Sequence, residues 1–378
     1  MSTKKFAAPA TPGRRSGHTP LGSAGDALAA ICLAVFCLAY LALFLRTRLS
    51  ESPVQMTRGE LLRLRVFLPE GAVADWFGTP PEFGLFDRWP VIGAAALILS
   101  VGWLTGRLLL RSVGLRCSES GLTRLEHFLF ACGAGLNAVS LYVLAIGLLG
   151  ALDRWSVAIP TIGILAVSGW SVLRERRARQ ALETEPAAAA VSQAPRAANA
   201  DDGISPRWLW LVAPFAAVIL LGGMLPPIDF DVREYHLQAP KEFFQAGKVS
   251  FLPHNVYASM PLGSEMFSLL AMLVLDDWWL GALAGKTLIA AFAPLTALAL
   301  VAAGRRFASV GAGVMAAMLY LSVPWIYVVS TSGLVEGVLA FYLLLAFYAV
   351  LMWRKTELAA WLALAGFCAG GAVSCKYP

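Results

Sequence analysis

The sequence predicts an all-α protein, a polytopic transmembrane helix bundle of about nine spans with an outward loop that carries short interfacial helices. Hydrophobic residues make up 58% of the chain, charged residues make up only 14%, and the mean hydropathy is +0.66. This composition excludes an ordinary soluble domain. Several windows also reach the ~20 apolar residues that a helix needs to cross a bilayer, where the backbone must be helical because no water satisfies it.

The apolar windows give the predicted spans in chain order. They lie near 27–45, 90–110, 127–150, 156–173, 207–225, 279–303, 307–328, 333–353 and 359–376. The apolar run Glu265–Leu275 is too short to cross and is predicted to lie in the interface. Gly133, Gly135, Gly147 and Gly150 stand in an apolar context within the third window, which favours close helix packing.

The distribution of Lys and Arg predicts the orientation. Basic residues before the first span place the N-terminus in the cytoplasm, and alternation then places the arginine-rich segment 174–179 inside and the loop after Leu225 outside. The loop 46–89 fits poorly, because it would be external and yet contains several arginines. The net charge of +6 lies largely on predicted cytoplasmic loops, which indicates positive-inside bias and contact with anionic lipids rather than nucleic-acid binding.

Composition also predicts the domain organisation. A cytoplasmic tail, 1–26, precedes a four-span prefix, 27–179; an Ala-, Pro- and Gln-rich flexible linker, 180–206, then leads to a second membrane module, 207–378. Because the last apolar run ends with almost no polar tail, we expect the sequence to be a fragment of a longer protein. No predicted outward loop holds a cysteine pair, so no disulfide framework is indicated, and no Cys/His set has metal-ligand spacing.

The loop 226–237 directly follows the fifth predicted span and is the main candidate for chemistry. Its charged residues are Asp229, Asp231, Arg233, Glu234 and His236. Acidic residues at a membrane boundary are costly to desolvate and usually have a function there, although a solvated loop is the simpler alternative. On an α-helix, Asp231, Glu234 and Tyr235 would share one face.

Other charged and aromatic residues occur in or beside apolar windows. Glu336 and Lys376 are functional candidates because of their depth, with snorkelling towards the interface as the alternative. Lys286 lies close to the outer end of its window, so snorkelling is favoured for it. Trp278 and Trp279 are expected to anchor their helix in the aromatic belt.

Several of these segments resemble the membrane glycosyltransferases of the GT-C superfamily, and in particular bacterial proteins related to protein O-mannosyltransferases and lipid A aminoarabinose transferases. The matching segments are 231–237, the following Pro240 and Lys241, 260–265, 322–325 with Glu336, and 370–378. The resemblance covers about residues 207–378. Asp231 and Glu234 are separated where mannosyltransferases have adjacent Asp and Glu, and Glu336 stands where the family often has Asp.

The resemblance implies transfer of a sugar from a polyprenyl-phosphate donor to a glycan, lipid or protein acceptor at the outer face of a bacterial inner membrane. In that mechanism Asp231 is the candidate base, and Glu234 or Asp229 assists it or holds a metal. Candidates for contact with the donor phosphate or the substrate are Arg233, His236, Lys241, Glu336 and Lys376. The metal ligands are unknown, since a divalent ion is compatible with the site but no cofactor is required by the sequence.

Two other functions stay open at this point. The same charges are compatible with a polytopic transporter or flippase for lipid-linked or small polar substrates, although transporters tend to place ionisable groups near the bilayer midplane in broken helices. A non-catalytic membrane scaffold is the third alternative. Because the GT-C proteins that the chain resembles carry further spans, we expect these 378 residues alone to lack transferase activity.

Overall fold

The computed structural model describes residues 24–48, 56–60, 85–115, 121–184 and 210–376. Helices make up most of these residues and none of them forms a strand, apart from an isolated antiparallel bridge between Arg48 and Thr57. The predicted all-α class is therefore confirmed.

Twelve α-helices follow one another along the described residues. They are α1 Ala24–Arg46, α2 Leu85–Ser112, α3 Arg124–Leu148, α4 Arg154–Thr184, α5 Ala213–Gly223, α6 Gln238–Ala246, α7 Glu265–Leu275, α8 Trp278–Phe307, α9 Val310–Ser322, α10 Pro324–Ser332, α11 Glu336–Thr356 and α12 Ala359–Cys375. A π-helical turn, Val232–His236, precedes α6, and a 3-10 turn, Val256–Ser259, follows it.

Helix α1 and residues 56–60 belong to a first compact unit. Within it, the guanidinium group of Arg58 lies 4.5 Å from the ring centroid of Phe44 and donates a hydrogen bond to the hydroxyl of Thr47. Helices α2 to α12 belong to a second unit, which contains all the candidate site residues.

Four helices of the described residues are long and apolar enough to cross a membrane: α2 from Arg88 onward, α3, α8 and α11. Helices α9 and α10 meet the same criterion only as a pair, and they are bent by 65° at the break between them. Four shorter helical stretches of the described residues are also apolar: Ile31–Arg46 within α1, α5, α7 and α12. A helical bundle of a multi-pass membrane protein is thus supported, whereas the count of nine spans is not confirmed.

Glycines allow α2 and α3 to pack backbone to backbone. A Cβ atom at Gly135 of α3 would lie 1.7 Å from the carbonyl oxygen of Gly102 in α2, and one at Gly106 would lie 1.8 Å from the carbonyl oxygen of Ala131. A Cβ atom at Gly133 would lie 2.3 Å from the side chain of Leu345 in α11. The close helix packing is therefore confirmed for Gly133 and Gly135. It is not for the other two glycines, since Gly147 approaches Val249 outside the helices and Gly150 follows the end of α3 with a positive φ of 71°.

The prediction that α7 lies in the membrane interface is wrong. Its first nine residues, 265–273, are all buried, because α7 turns back on α8 and is surrounded by protein. Gly285 and Gly281 of α8 make this possible: a Cβ atom at Gly285 would lie 2.3 Å from the hydroxyl of Ser268, and one at Gly281 would lie 2.4 Å from the Cα atom of Met272. An interfacial helix would expose one polar face, which α7 does not do.

The predicted prefix and the predicted second module pack together. Helix α8 contacts α2 and α3 as well as α5, α7, α9 and α11. The Asn137 side chain of α3 donates to the carbonyl oxygen of Phe367 in α12 at 2.9 Å, and the Ser140 hydroxyl donates to that of Gly263 at 2.5 Å. Helix α4 continues to Thr184, so it includes the first residues of the predicted linker, and 185–206 lie outside the described residues. The predicted domain boundaries stay predictions.

A buried polar network joins α3, α8 and α11. The carboxylate of Glu126, which is 1% exposed, accepts hydrogen bonds from Nε of Arg306 at 2.6 Å and from the Tyr348 hydroxyl at 2.5 Å. It also accepts one from Nη2 of Arg306 at 2.5 Å and completes a capping box with Thr123 at the start of α3. The network neutralises a carboxylate that would otherwise be buried without a partner.

Candidate functional site

Two buried cations hold the end of α5, from which the acidic loop departs. The ammonium group of Lys286, a residue 1% exposed, donates to the carbonyl oxygens of Gly223 at 3.1 Å and Leu225 at 2.9 Å. The guanidinium group of Arg88 donates to the carbonyl oxygen of Met224. These bonds satisfy carbonyls that a helix C-terminus leaves unpaired, and positive charge is favourable there. The prediction that Lys286 snorkels is wrong, since its ammonium group meets backbone carbonyls inside the protein.

The loop then forms a π-helical turn instead of an α-helix. A carboxylate oxygen of Asp229 accepts from the backbone N–H groups of Asp231 at 3.0 Å and Val232 at 3.3 Å, so Asp229 stabilises the start of the turn. A π turn contains more residues per turn than an α-helix, so Asp231, Glu234 and Tyr235 do not share one face as predicted. Tyr235 is buried, whereas Asp231 and Glu234 are exposed.

His236, the last residue of the turn, is paired with Glu265. Its Nδ1 atom lies 2.5 Å from Oε1 of Glu265, and the other carboxylate oxygen accepts from the Ser264 hydroxyl at 2.9 Å. His236 is 4% exposed and Glu265 is 1% exposed. The Nε2 atom of His236 is buried and makes no hydrogen bond to any described residue.

Glu336 and Lys376 also form a pair, although they are 40 residues apart. The ammonium group of Lys376, after α12, donates to Oε1 of Glu336 at the start of α11 at 2.6 Å. Both side chains are partly exposed. Oε2 of Glu336 is buried and has no hydrogen-bond partner among the described residues. Each of the two predicted cations His236 and Lys376 therefore has a carboxylate partner.

Tyr235 lies where these segments meet. Its burial, together with the negative charges of Asp231, Glu265, Glu336 and Asp229, raises the pKa of the Tyr235 hydroxyl to about 12. Its ring contacts the imidazole of His236, with centroids 4.1 Å apart, and stacks on Tyr257 at 5.3 Å. The structure thus brings the acidic loop together with Glu265, Glu336 and Lys376 around one aromatic side chain; we call this group the Tyr235 cluster.

The remaining candidate residues line a cavity of about 720 Å³ next to the Tyr235 cluster. Polar side chains of its lining are Arg233, Glu234, Gln238 and Lys241. Apolar and aromatic residues complete it, among them Ile228, Phe230, Trp278 and Trp279. The ammonium group of Lys241 lies 4.1 Å from the ring centroid of Trp278, a cation–π contact. Among the described residues, no carboxylate pairs with Arg233 or Lys241.

The predicted site residues therefore fall into two neighbouring groups. Asp229, Asp231, His236, Glu336 and Lys376 belong to the Tyr235 cluster, whereas Arg233, Glu234 and Lys241 line the cavity. Within the described part of the chain, no group of three or more His, Cys, Asp or Glu side chains is arranged to hold a metal ion. The identity of any metal ligand stays open.

Sequence reasoning did not assign a role to several residues of this site. Glu265 was part of a matching segment but had no partner before the fold was known. Asn255 donates from its side chain to the carbonyl oxygen of Glu234 at 2.8 Å, and Tyr257 stacks on Tyr235. Both belong to an irregular segment without periodicity, so no sequence pattern could assign them a partner.

Comparisons of the chain with protein-family models, with curated proteins and with solved structures find no match. The resemblance to GT-C glycosyltransferases consequently depends only on the sequence segments that carry it.

Proposed function

We propose that the chain belongs to a membrane glycosyltransferase that moves a sugar from a polyprenyl-phosphate donor to an acceptor at the outer face of the membrane. The observation that carries the proposal is that two sites of different chemical character lie next to each other. A cavity with two cations and a largely apolar, aromatic lining adjoins a cluster of carboxylates and an imidazole. A lipid phosphate requires the first environment, and deprotonation of an acceptor hydroxyl requires the second.

The donor site lies in the cavity in this proposal. Arg233 and Lys241 contact the phosphate, because neither is paired with a carboxylate in the described structure. Trp278, Trp279 and Phe230 contact the first isoprene units. His236 and Lys376, which the resemblance also implicated, are engaged by Glu265 and Glu336. The proposal therefore assigns them to the reacting side of the site rather than to the phosphate.

The remaining features of the proposal follow from the sequence. The protein resides in a bacterial inner membrane with its N-terminus in the cytoplasm, and its acceptor is a glycan, a lipid or a protein. The loop 226–237 then faces the outer side. Membrane lipids are its surroundings and the source of its donor, and nucleic acid is not a partner.

Donor binding provides the direct test. We expect Arg233→Gln and Lys241→Gln each to weaken binding of a polyprenyl-phosphate sugar about tenfold, since a hydrogen bond from a charged group contributes about 1.5–3 kcal/mol. Binding is measured on the purified chain in nanodiscs, so the test does not depend on transfer activity. Lys248→Gln is the matched control, because Lys248 is exposed and does not line the cavity. Equal affinities for the Lys241 and Lys248 variants would exclude the cavity as the phosphate site.

One observation favours a transporter or flippase as the second candidate. Helices α9 and α10 form a broken pair, bent by 65°, and broken helices commonly carry the substrate sites of transporters. The Tyr235 cluster, however, is assembled from the loop 226–237 and from helix ends instead of from that break. Reconstitution in proteoliposomes separates the two functions: movement of a lipid-linked sugar between leaflets without formation of a glycosylated product would favour the transporter.

A further inference from the structure

We infer that His236, positioned by Glu265, accepts the proton of the acceptor hydroxyl during transfer. This inference rests on the proposed function and deepens it. It replaces the assignment of the base to Asp231 that the family resemblance implies.

The hydrogen bonds of the imidazole determine which nitrogen is available. A carboxylate accepts hydrogen bonds, so Nδ1, 2.5 Å from Oε1 of Glu265, carries the ring proton of the neutral imidazole. Nε2 then has the lone pair. A base whose second nitrogen is held by a carboxylate is the arrangement that recurs in enzymes using histidine as a general base. The hydroxyl of Ser264 donates a hydrogen bond to Glu265, so Ser264 orients Glu265 and Glu265 orients His236.

The free Nε2 atom is the feature that a purely structural role does not explain. A buried polar atom without a partner destabilises the folded state, and such an atom calls for a specific reason. Oε2 of Glu336 is also buried without a hydrogen-bond partner among the described residues. Nε2 is a hydrogen-bond acceptor in this tautomer, so the hydroxyl group of an entering acceptor supplies the donor that it lacks.

Asp231 is less suited to the same task. It is exposed, and its carboxylate makes no hydrogen bond to the described residues that would fix its direction. A general base must be held in a fixed direction within reach of the proton that it accepts, and Glu265 provides that hold for His236. The exposed carboxylate instead contributes negative charge next to Tyr235.

The proton and the electron pairs balance in the step. The acceptor oxygen bonds to the anomeric carbon while its proton passes to Nε2 of His236. The bond between that carbon and the phosphate oxygen breaks, and its electron pair leaves with the lipid phosphate. The resulting imidazolium is stabilised by the Glu265 carboxylate and later returns its proton to water.

Access to Nε2 requires a local movement. Tyr235 lies against the imidazole and stacks on Tyr257, which is 44% exposed in a 3-10 turn without buried residues. Catalytic contacts often align only when substrate binds. In our proposal, acceptor binding displaces the Tyr235–Tyr257 pair and opens Nε2.

The experiment compares His236→Asn with Asp231→Asn in the full-length protein. The amide N–H of Asn can replace the Nδ1–H bond to Glu265 but cannot accept a proton. We expect His236→Asn to keep donor affinity within about twofold while the transfer rate falls at least ~100-fold, the usual contribution of a general base. Asp231→Asn is expected to keep the rate within about tenfold. The acidic limb of the pH–rate profile is expected to disappear in His236→Asn, which a positioning role alone would not cause.

A second variant protects the test against misfolding of the first. Glu265→Gln keeps an acceptor for Nδ1–H but removes the charge that stabilises the imidazolium, so we expect a rate loss of about tenfold or more with donor affinity unchanged. A His236→Asn variant with more than half of the parent rate would overturn the inference, as would a 100-fold loss in Asp231→Asn alone. A parent protein that binds the donor but transfers nothing would refute the proposed function, and this inference with it.

Discussion

Glu126→Gln is expected to lower the free energy of unfolding by about 3 kcal/mol. The substitution leaves the charge of Arg306 without its partner in the network that joins α3, α8 and α11. Breaking a buried ion pair on one side typically costs about 3–5 kcal/mol, and the lower end applies here because the Arg306 side chain is 19% exposed. The Tyr348 hydroxyl also loses a charged acceptor. Denaturant unfolding of the purified chain in detergent measures the change.

The matched control for this substitution is Glu357→Gln. Glu357 is exposed after α11, and its side chain makes no hydrogen bond to the described residues, so its substitution should leave the unfolding midpoint unchanged. Adding Arg306→Met to Glu126→Gln is expected to restore part of the lost stability, because the unpaired charge is then removed. If the single and double variants unfold at the midpoint of the parent, the network contributes nothing to stability.

The long helices could be predicted from the sequence because hydrophobic length alone decides them. Helices α2, α3, α8 and α11 correspond to long apolar windows with few charged residues. Helix α7 is equally apolar, but its length of 11 residues could not show whether it lies on the membrane surface or inside the protein. Its location depends on Gly281 and Gly285, which lie on another helix, and such a pairing is not visible in the local pattern.

The sequence could predict which segments contribute to the site but not which residues pair within it. Charges at the predicted membrane boundary indicated the loop 226–237, Glu336 and Lys376 as candidates, and the structure brings these residues to one place. The pairings were not predictable, because Glu265 lies 29 residues from His236 and both are buried. Lys286 was misjudged for the same reason: depth in a window says nothing about the backbone carbonyls of α5 that lie opposite.

Gly135→Ala is expected to destabilise the bundle by about 3 kcal/mol, the upper end of the usual cost of overpacking. The new Cβ atom would lie 1.7 Å from the carbonyl oxygen of Gly102 and 2.5 Å from the backbone nitrogen of Gly106. Backbone atoms cannot turn away as a flexible side chain does, so α2 and α3 must separate. That separation removes contacts along the whole helix pair. Thermal unfolding in detergent gives the change in stability.

The matched control is Gly93→Ala, on α2 itself. A Cβ atom at Gly93 meets no atom within 4 Å, so this substitution adds the same methyl group without a clash. Alanine has the higher helix propensity, and Gly93→Ala should therefore leave the melting temperature unchanged or raise it slightly. The same propensity gain acts at Gly135 and opposes the clash, so a fall in stability there can only come from the contact between the helices. Equal melting temperatures for the two variants would mean that α2 and α3 are not in backbone contact at Gly102 and Gly106.

Separation of α2 and α3 would also displace residues of the Tyr235 cluster. Ser140 of α3 donates a hydrogen bond to the carbonyl oxygen of Gly263, two residues before Glu265.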